Sequence, residues 1–173
     1  MNRANPEDFK IEALAEHHDR ASFTCGVEPL DRYLQKQAGQ DLRKKVAAVF
    51  VLTPDNKTIA GFYTLSAHSV RLQDLPPETA RQLPRYPLVP ATLLGRLALS
   101  EDFRGLGLGE LLLMNALKQA LAGSRQIASA AVVVDAKDEP ARKFYLHYNF
   151  IPLASQPNRL FCPMKTIEEL FGP

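Results

Sequence analysis

The spacing of apolar residues changes several times along the chain, and each change predicts an element. From Glu28 to about Lys44, positions Leu30, Tyr33, Leu34, Ala38, Asp41 and Leu42 recur at roughly helical intervals and predict a helix. Residues 10–25, before it, read as a short opening strand or turn followed by a polar stretch. Val46 to Leu52 is a continuous apolar run rich in β-branched residues, which suits a buried strand. Pro54-Asp55-Asn56-Lys57 reads as a turn, and Thr58 to Ser66 as the returning strand of a hairpin.

Leu75 to Pro90 holds Pro76, Pro77, Pro84, Pro87 and Pro90. Each proline fixes φ and removes a donor, so this stretch predicts a surface connection with at most one helical turn, near Glu78–Gln82. Leu93 to Leu99 is a further apolar strand, and Ala130 to Val134 another. Between them, Leu113, Ala116, Leu117, Ala120 and Leu121 form the stripe of a core-facing helix. Asp138 is placed to cap the next helix, with Pro140 in its first turn. Phe150–Leu153 and Leu160–Met164 predict late strands, edge or short because of Pro152 and Pro163. Thr166-x-x-Glu169 has the form of a capping box opening a terminal helix. This order predicts an α/β fold in which helices cover a mixed sheet.

Composition narrows the class. A chain of 173 residues suits one domain, expected over residues 1–173, and 46% hydrophobic with 23% charged residues is ordinary for a globular protein. A net charge of +2 permits local anion-binding patches but is far from that of a dedicated nucleic-acid binder. Cys25 and Cys162 belong to no metal or redox spacing and read as reduced thiols. His17-His18, His68 and His147 form no recognisable ligand set, so no metal is expected. The segment Met1–Phe9 lacks a signal-peptide core and no stretch approaches a membrane span, so the expected location is cytoplasmic.

Arg104-Gly105-Leu106-Gly107-Leu108-Gly109 lies between a predicted strand and helix. Glycines allow a sharp turn and close approach to the backbone, and the helix N-terminus supplies unpaired N–H groups for a phosphate. Neither a P-loop nor a dinucleotide fingerprint fits, because no Lys-Ser or Lys-Thr follows and the spacing differs.

The glycine turn resembles the pyrophosphate loop of the GNAT acetyltransferases, [QR]-x-x-G-x-[GA]. Arg96-Leu97-Ala98-Leu99 resembles the family's bulged strand, and Phe144-Tyr145-Leu146-His147-Tyr148-Asn149-Phe150 its F-Y-x-x-x-G-F signature, with Asn149 in place of glycine. The strongest resemblance runs from Leu93 to Phe150. It implies the GNAT fold, with a mixed, mostly antiparallel central sheet and helices on both faces, and acetyl-CoA as co-substrate. By the same resemblance Leu97, Ala98, Leu99, Arg104, Gly105, Leu106, Gly107, Leu108, Gly109 and Phe144 would contact that cofactor. Phe23-Thr24-Cys25-Gly26, Leu30-Asp31-Arg32-Tyr33-Leu34, Ala38-Gly39-Gln40-Asp41, Gly61-Phe62-Tyr63-Thr64-Leu65-Ser66 and Leu83-Pro84-Arg85-Tyr86-Pro87 are similar to one branch, the TacT-like toxins. That branch implies acetylation of aminoacyl-transfer RNA, arrest of translation, neutralisation by a ribbon-helix-helix antitoxin, and a homodimer.

Acetyl transfer from a thioester needs an acid for the departing thiolate, and the resemblance assigns it to Tyr145. A phenol near pKa ~10 is protonated at neutral pH. Ala141, Phe144, Tyr145 and Tyr148 also share one helical stripe, as core residues would. A backbone N–H near Leu99 is expected to polarise the carbonyl. Glu101, Asp102, His68 and Asp135 can each act as base, and nothing in the sequence chooses among them. An α-amino group, with pKa near ~7.7–8.0, needs a base far less than lysine does. Lys36, Arg43, Lys44, Arg85, Arg96 and Arg142, with Lys45, Arg71, Lys143 and Arg159, offer a basic track for an RNA backbone. Alternatives are the same fold acting on a small amine, an antibiotic or a protein amine, and a catalytically silent acyl-CoA-binding regulator.

Overall fold

The computed structural model describes residues 2–172; Met1 and Pro173, the ends of the expected single domain, lie outside the described residues. Its strands are β1 (Lys10–Ala13), β2 (Ala48–Thr53), β3 (Gly61–Arg71), β4 (Leu88–Leu99), β5 (Ala131–Asp135), β6 (Ile151–Pro152) and β7 (Arg159–Pro163). They form a mixed α/β sheet in the order β1-β2-β3-β4-β5-β7-β6. The β4–β5 pair is parallel, and β1–β2, β2–β3, β5–β7 and β6–β7 are antiparallel. By contact density the chain divides into two compact units, Met1–Ser66 with Gly95–Ala116 and Ala67–Leu94 with Leu117–Pro173.

In the first unit the helix expected over Glu28–Lys44 is three pieces: α1 (Glu28–Arg32), a π-turn (Tyr33–Gln37) and α2 (Ala38–Arg43). The π-turn is why plain helical spacing misjudged the segment. Both Tyr33 and Leu34 are buried in a cluster with Phe23, Val49, Val51, Phe62 and Ala98. Lys45 adopts φ 59, and the Val46 N–H reaches back to the Asp41 carbonyl at 2.9 Å, which ends the helix. In the β2–β3 turn, Asp55 accepts backbone N–H bonds from Lys57 and Thr58 at 3.0 and 2.6 Å. Gly61 allows β3 its closest approach, since a Cβ there would sit 2.7 Å from Leu112 and 2.9 Å from the Ala98 carbonyl.

The second unit packs Val70, Leu75, Val89, Ala91, Val133, Leu153 and Phe161 into its own core. The proline-rich connection contains one short helix, α3 (Pro77–Ala80), as expected. Strand β4 starts five residues before the expected Leu93 and takes in Pro90, which is exposed near its start. Strand β6 is the expected short edge piece, whereas β7 lies between β5 and β6. Its Pro163 is tolerated there because it is the last residue, beyond the two that β6 pairs. The terminal helix α6 (Met164–Phe171) begins ahead of Thr166, which therefore caps nothing. No helix among the described residues is long and apolar enough to cross a membrane.

Candidate active site

The glycine turn leads into α4 (Leu108–Ser124), whose stripe Leu113, Ala116, Leu117, Ala120 and Leu121 is buried throughout. Gly105 and Gly107 have φ of 75° and 80°, the left-handed values that a nest of backbone N–H groups requires. Leu108 is buried and anchors the first turn of the helix. Leu97, Ala98 and Leu99 form the end of β4, with Ala98 turned into the core between two half-buried leucines.

Arg104, expected as a cofactor contact, donates through its Nη2 to the Cys25 carbonyl, in the loop ahead of α1. The guanidinium set over the nest is that of Arg3, which sequence reasoning missed because nothing in the motif points to the N-terminus. The Ala4 N–H donates to the Leu106 carbonyl at 2.9 Å, so the N-terminal segment lies along the loop. Arg3, Ala4, Pro6, Leu106, Gly107, Leu108, Glu110, Leu111 and Met114 line an open cleft of about 260 Å³. A cradle of glycine backbone, a helix N-terminus and a cation fits the pyrophosphate of a nucleotide-bearing cofactor.

In the second unit, α5 (Glu139–His147) is capped as expected, with Asp138 Oδ1 accepting the Ala141 N–H at 2.8 Å. Its exit explains the aromatic signature. Asn149 takes φ 70°, and the Phe150 N–H returns to the Tyr145 carbonyl at 3.2 Å. This closure brings the Phe150 ring to 5.3 Å from that of Tyr145, and Phe144 flanks Tyr145 at the same distance. Burial pushes the Tyr145 phenol above its ordinary value. The hydroxyl has no hydrogen-bond partner among the described residues, yet no deeply buried side-chain oxygen lacks one. The ring is therefore held in the core while its oxygen stays accessible.

The four base candidates fare differently. Asp135 and Arg159 face each other across the β5–β7 pair in a two-bond ion pair of 2.6 and 2.8 Å. Arg159 Nη1 also lies 3.3 Å from His68 Nε2, and since guanidinium only donates, that nitrogen accepts. Burial, and then the Arg159 charge, lower the His68 pKa. Glu101 and Asp102 are exposed on a short helical turn after β4. Of the basic residues, Lys36, Arg43, Lys44 and Arg85 are exposed, Arg142 donates to the Pro157 carbonyl, and Arg96 stacks on Tyr33.

The structure also gathers Glu12, His17 and His18, which spacing did not foresee, with ligand atoms within 4.8 Å of one another. Hydrogen bonding accounts for the group. His18 Nδ1 accepts the Ala15 N–H at 3.0 Å, so its Nε2 carries the proton and donates to Glu12 at 2.7 Å.

A glycine nest at a helix N-terminus, with a guanidinium beside it, suits a protein that handles a phosphate-bearing cofactor. The chain belongs to the GNAT acetyltransferase family, whose model matches residues 11–150. It is therefore an acetyltransferase with the GNAT fold. It is 33% identical over 163 residues to a probable toxin TacT of Sinorhizobium fredii, covering 90% of each chain. It is 33% identical over 159 residues to a tRNA-acetylating toxin of Mycobacterium tuberculosis, covering 92% of this chain and 94% of that one. Among solved structures it is similar to AtaT complexed with acetyl-methionyl-tRNAfMet, at TM-score 0.88 and 30% identity over 95% of this chain and 99% of that one. It is also similar to an AtaT mutant bound to acetyl-CoA and the C-terminus of the antitoxin AtaR, at TM-score 0.81 and 28% identity over 96% and 99%.

Proposed function

We propose that this chain is a toxin that transfers acetyl from acetyl-CoA to the free amine of an aminoacyl-transfer RNA and so blocks translation. The observation that carries this reading is the likeness, along nearly the whole chain, to AtaT holding acetyl-methionyl-tRNA. The family match runs through both compact units and supports their acting as one acetyltransferase domain.

Acetyl-CoA, when bound, supplies an acetyl thioester. The N–H groups of Gly105, Leu106, Gly107, Leu108 and Gly109 would hold its pyrophosphate, with Leu97, Ala98 and Leu99 as further contacts from the first unit and Phe144 from the second. Arg104 contributes charge near the loop while anchored on Cys25. A backbone N–H near Leu99 would polarise the carbonyl. Tyr145 would protonate the departing sulfur, and its hydroxyl on a packed ring suits that role. Asp135 is engaged by Arg159, and His68 Nε2 by the same guanidinium, so neither stands ready as a base. An α-amino acceptor fits such a site, because much of it is already neutral at physiological pH.

Lys36, Arg43, Lys44, Arg85, Arg96 and Arg142 supply the cations for the RNA backbone. The partner that silences the toxin is an antitoxin of the ribbon-helix-helix type, and the working form is a cytoplasmic homodimer. The AtaT–AtaR complexes support an antitoxin partner.

The test is incubation of purified protein with labelled acetyl-CoA and either charged or deacylated transfer RNA. Label on the charged pool alone is expected. Binding of acetyl-CoA without label in either pool would move the acceptor to a small amine or a protein. Labelled transfer to any acceptor would dispose of the silent-regulator alternative.

A further inference from the structure

We propose that Arg3 is a ligand of the cofactor's pyrophosphate, contributed from outside the glycine motif and set in place by Glu110. The inference rests on the acetyl-CoA reading of the glycine loop and adds a residue to it.

Three observations place Arg3 at the site. A Cβ on Gly107 would lie 2.8 Å from both Nε and Nη2 of Arg3, so the guanidinium sits directly on the loop backbone. Arg3 Nη2 donates to Glu110 Oε2 at 2.5 Å, and Glu110 lies in the first turn of α4. The Ala4 N–H bond to the Leu106 carbonyl fixes the segment one residue away, so the placement does not depend on a single long side chain.

The electrostatics make the pair more informative than a lone arginine. A carboxylate in the first turn of a helix favours the helix dipole, but beside an incoming phosphate it repels. Arg3 offsets that repulsion through its contact with Glu110, and the planar fork of a guanidinium suits contact with phosphate oxygens. The side chain is 69% exposed, so the contact forms at the open rim of the cleft, where salt screens it. Removing Arg3 thus has two consequences: a donor is lost and a carboxylate is uncovered.

The experiment measures binding of acetyl-CoA and of its 3′-dephospho form to the full chain by calorimetry at low salt, with circular dichroism confirming the fold of each variant. Arg3→Ala is expected to weaken both ligands by at least fivefold, Arg3→Lys by less, and the loss is expected to shrink in high salt. Glu110→Gln added to Arg3→Ala is expected to recover at least twofold of the lost affinity. Equal affinity of wild type and Arg3→Ala would overturn the proposal. So would tighter binding by Arg3→Ala, which would make Arg3 a plug over the loop, or a loss confined to acetyl-CoA, which would move the contact to the 3′-phosphate. Failure of the wild type to bind either ligand would reject the glycine-loop reading itself, and this proposal with it.

Discussion

The guanidinium of Arg96 lies 3.5 Å above the centroid of the Tyr33 ring, and the Tyr33 hydroxyl donates to Asp41 at 2.9 Å. Burial, and secondarily the Asp41 bond, push the Tyr33 phenol up to about 12. A residue of β4 is thereby held against the π-turn before α2 within the first unit. Arg96→Ala should remove a cation–π contact worth about 1 kcal/mol. For a chain of this size that lowers the melting temperature by roughly 2–4 °C. The same variant should raise KM for charged transfer RNA if Arg96 also contacts the backbone. Arg96→Lys, which keeps charge but loses the planar stack, should restore KM better than stability. Calorimetric melts beside steady-state kinetics separate the two roles, and an unchanged melt in Arg96→Ala would refute the stacking role.

Tyr145→Phe should keep acetyl-CoA binding and lower turnover at least tenfold, a floor set below the ~10²–10⁴ usual for a positioned general acid. Because burial raises the phenol's pKa, Tyr145 should stay protonated through the working range. The kcat profile should therefore show no alkaline limb from this residue below about pH 10. Turnover in the phenylalanine variant equal to wild type would remove the acid from the mechanism.

Gly107→Glu should abolish cofactor binding, since it adds bulk and negative charge beside the loop. Gly107→Ala should also weaken it, because φ of 80° costs an L-residue about 1–2 kcal/mol and its Cβ would meet Arg3. Titration with acetyl-CoA checks both, and undiminished affinity in Gly107→Glu would reject the loop assignment.

Glu12 gives the chain an acid-sensitive contact. Its hydrogen bond from His18, with help from Lys10 and His17, lowers its pKa from 4.5 to about 2. A depressed carboxylate contributes stability that is fully present above its unfolded value and is lost as pH falls through the folded one. The melting temperature of wild type should thus exceed that of Glu12→Gln at pH 6, and the gap should close between pH 4.5 and 2. A gap independent of pH would assign the effect to packing.

Much of this was legible in the sequence because it is written in local chemistry. Glycines at 105 and 107 and the Asp138 cap each act within a few residues and appear in the structure as read, and Asn149, in the glycine position of its motif, takes the left-handed value a glycine would. What escaped depends on residues far apart in the chain. The motif carries Arg104 at the loop; the guanidinium of Arg3, about a hundred residues upstream, also lies against it, and no local pattern announces that. The pairing of Asp135 with Arg159 depends on strand register, and the Glu12–His18 contact on how β1 leads into its loop. The capping box at Thr166 failed for a different reason: Pro163 had already turned the chain into α6.

The π-turn at Tyr33–Gln37 has a consequence for how the chain tolerates insertions and deletions. Such a turn is the footprint of one extra residue in an α-helix. An extra residue in an unbroken α-helix would rotate everything after it by about 100°, whereas the wider turn absorbs it locally and leaves the flanking segments in phase. Deleting one residue here would therefore restore a plain α-helix, with Tyr33 and Leu34 still anchored in the core and Arg43 and Lys44 facing nearly as they do now. The direction of this basic face is thus buffered against a single residue's change in chain length.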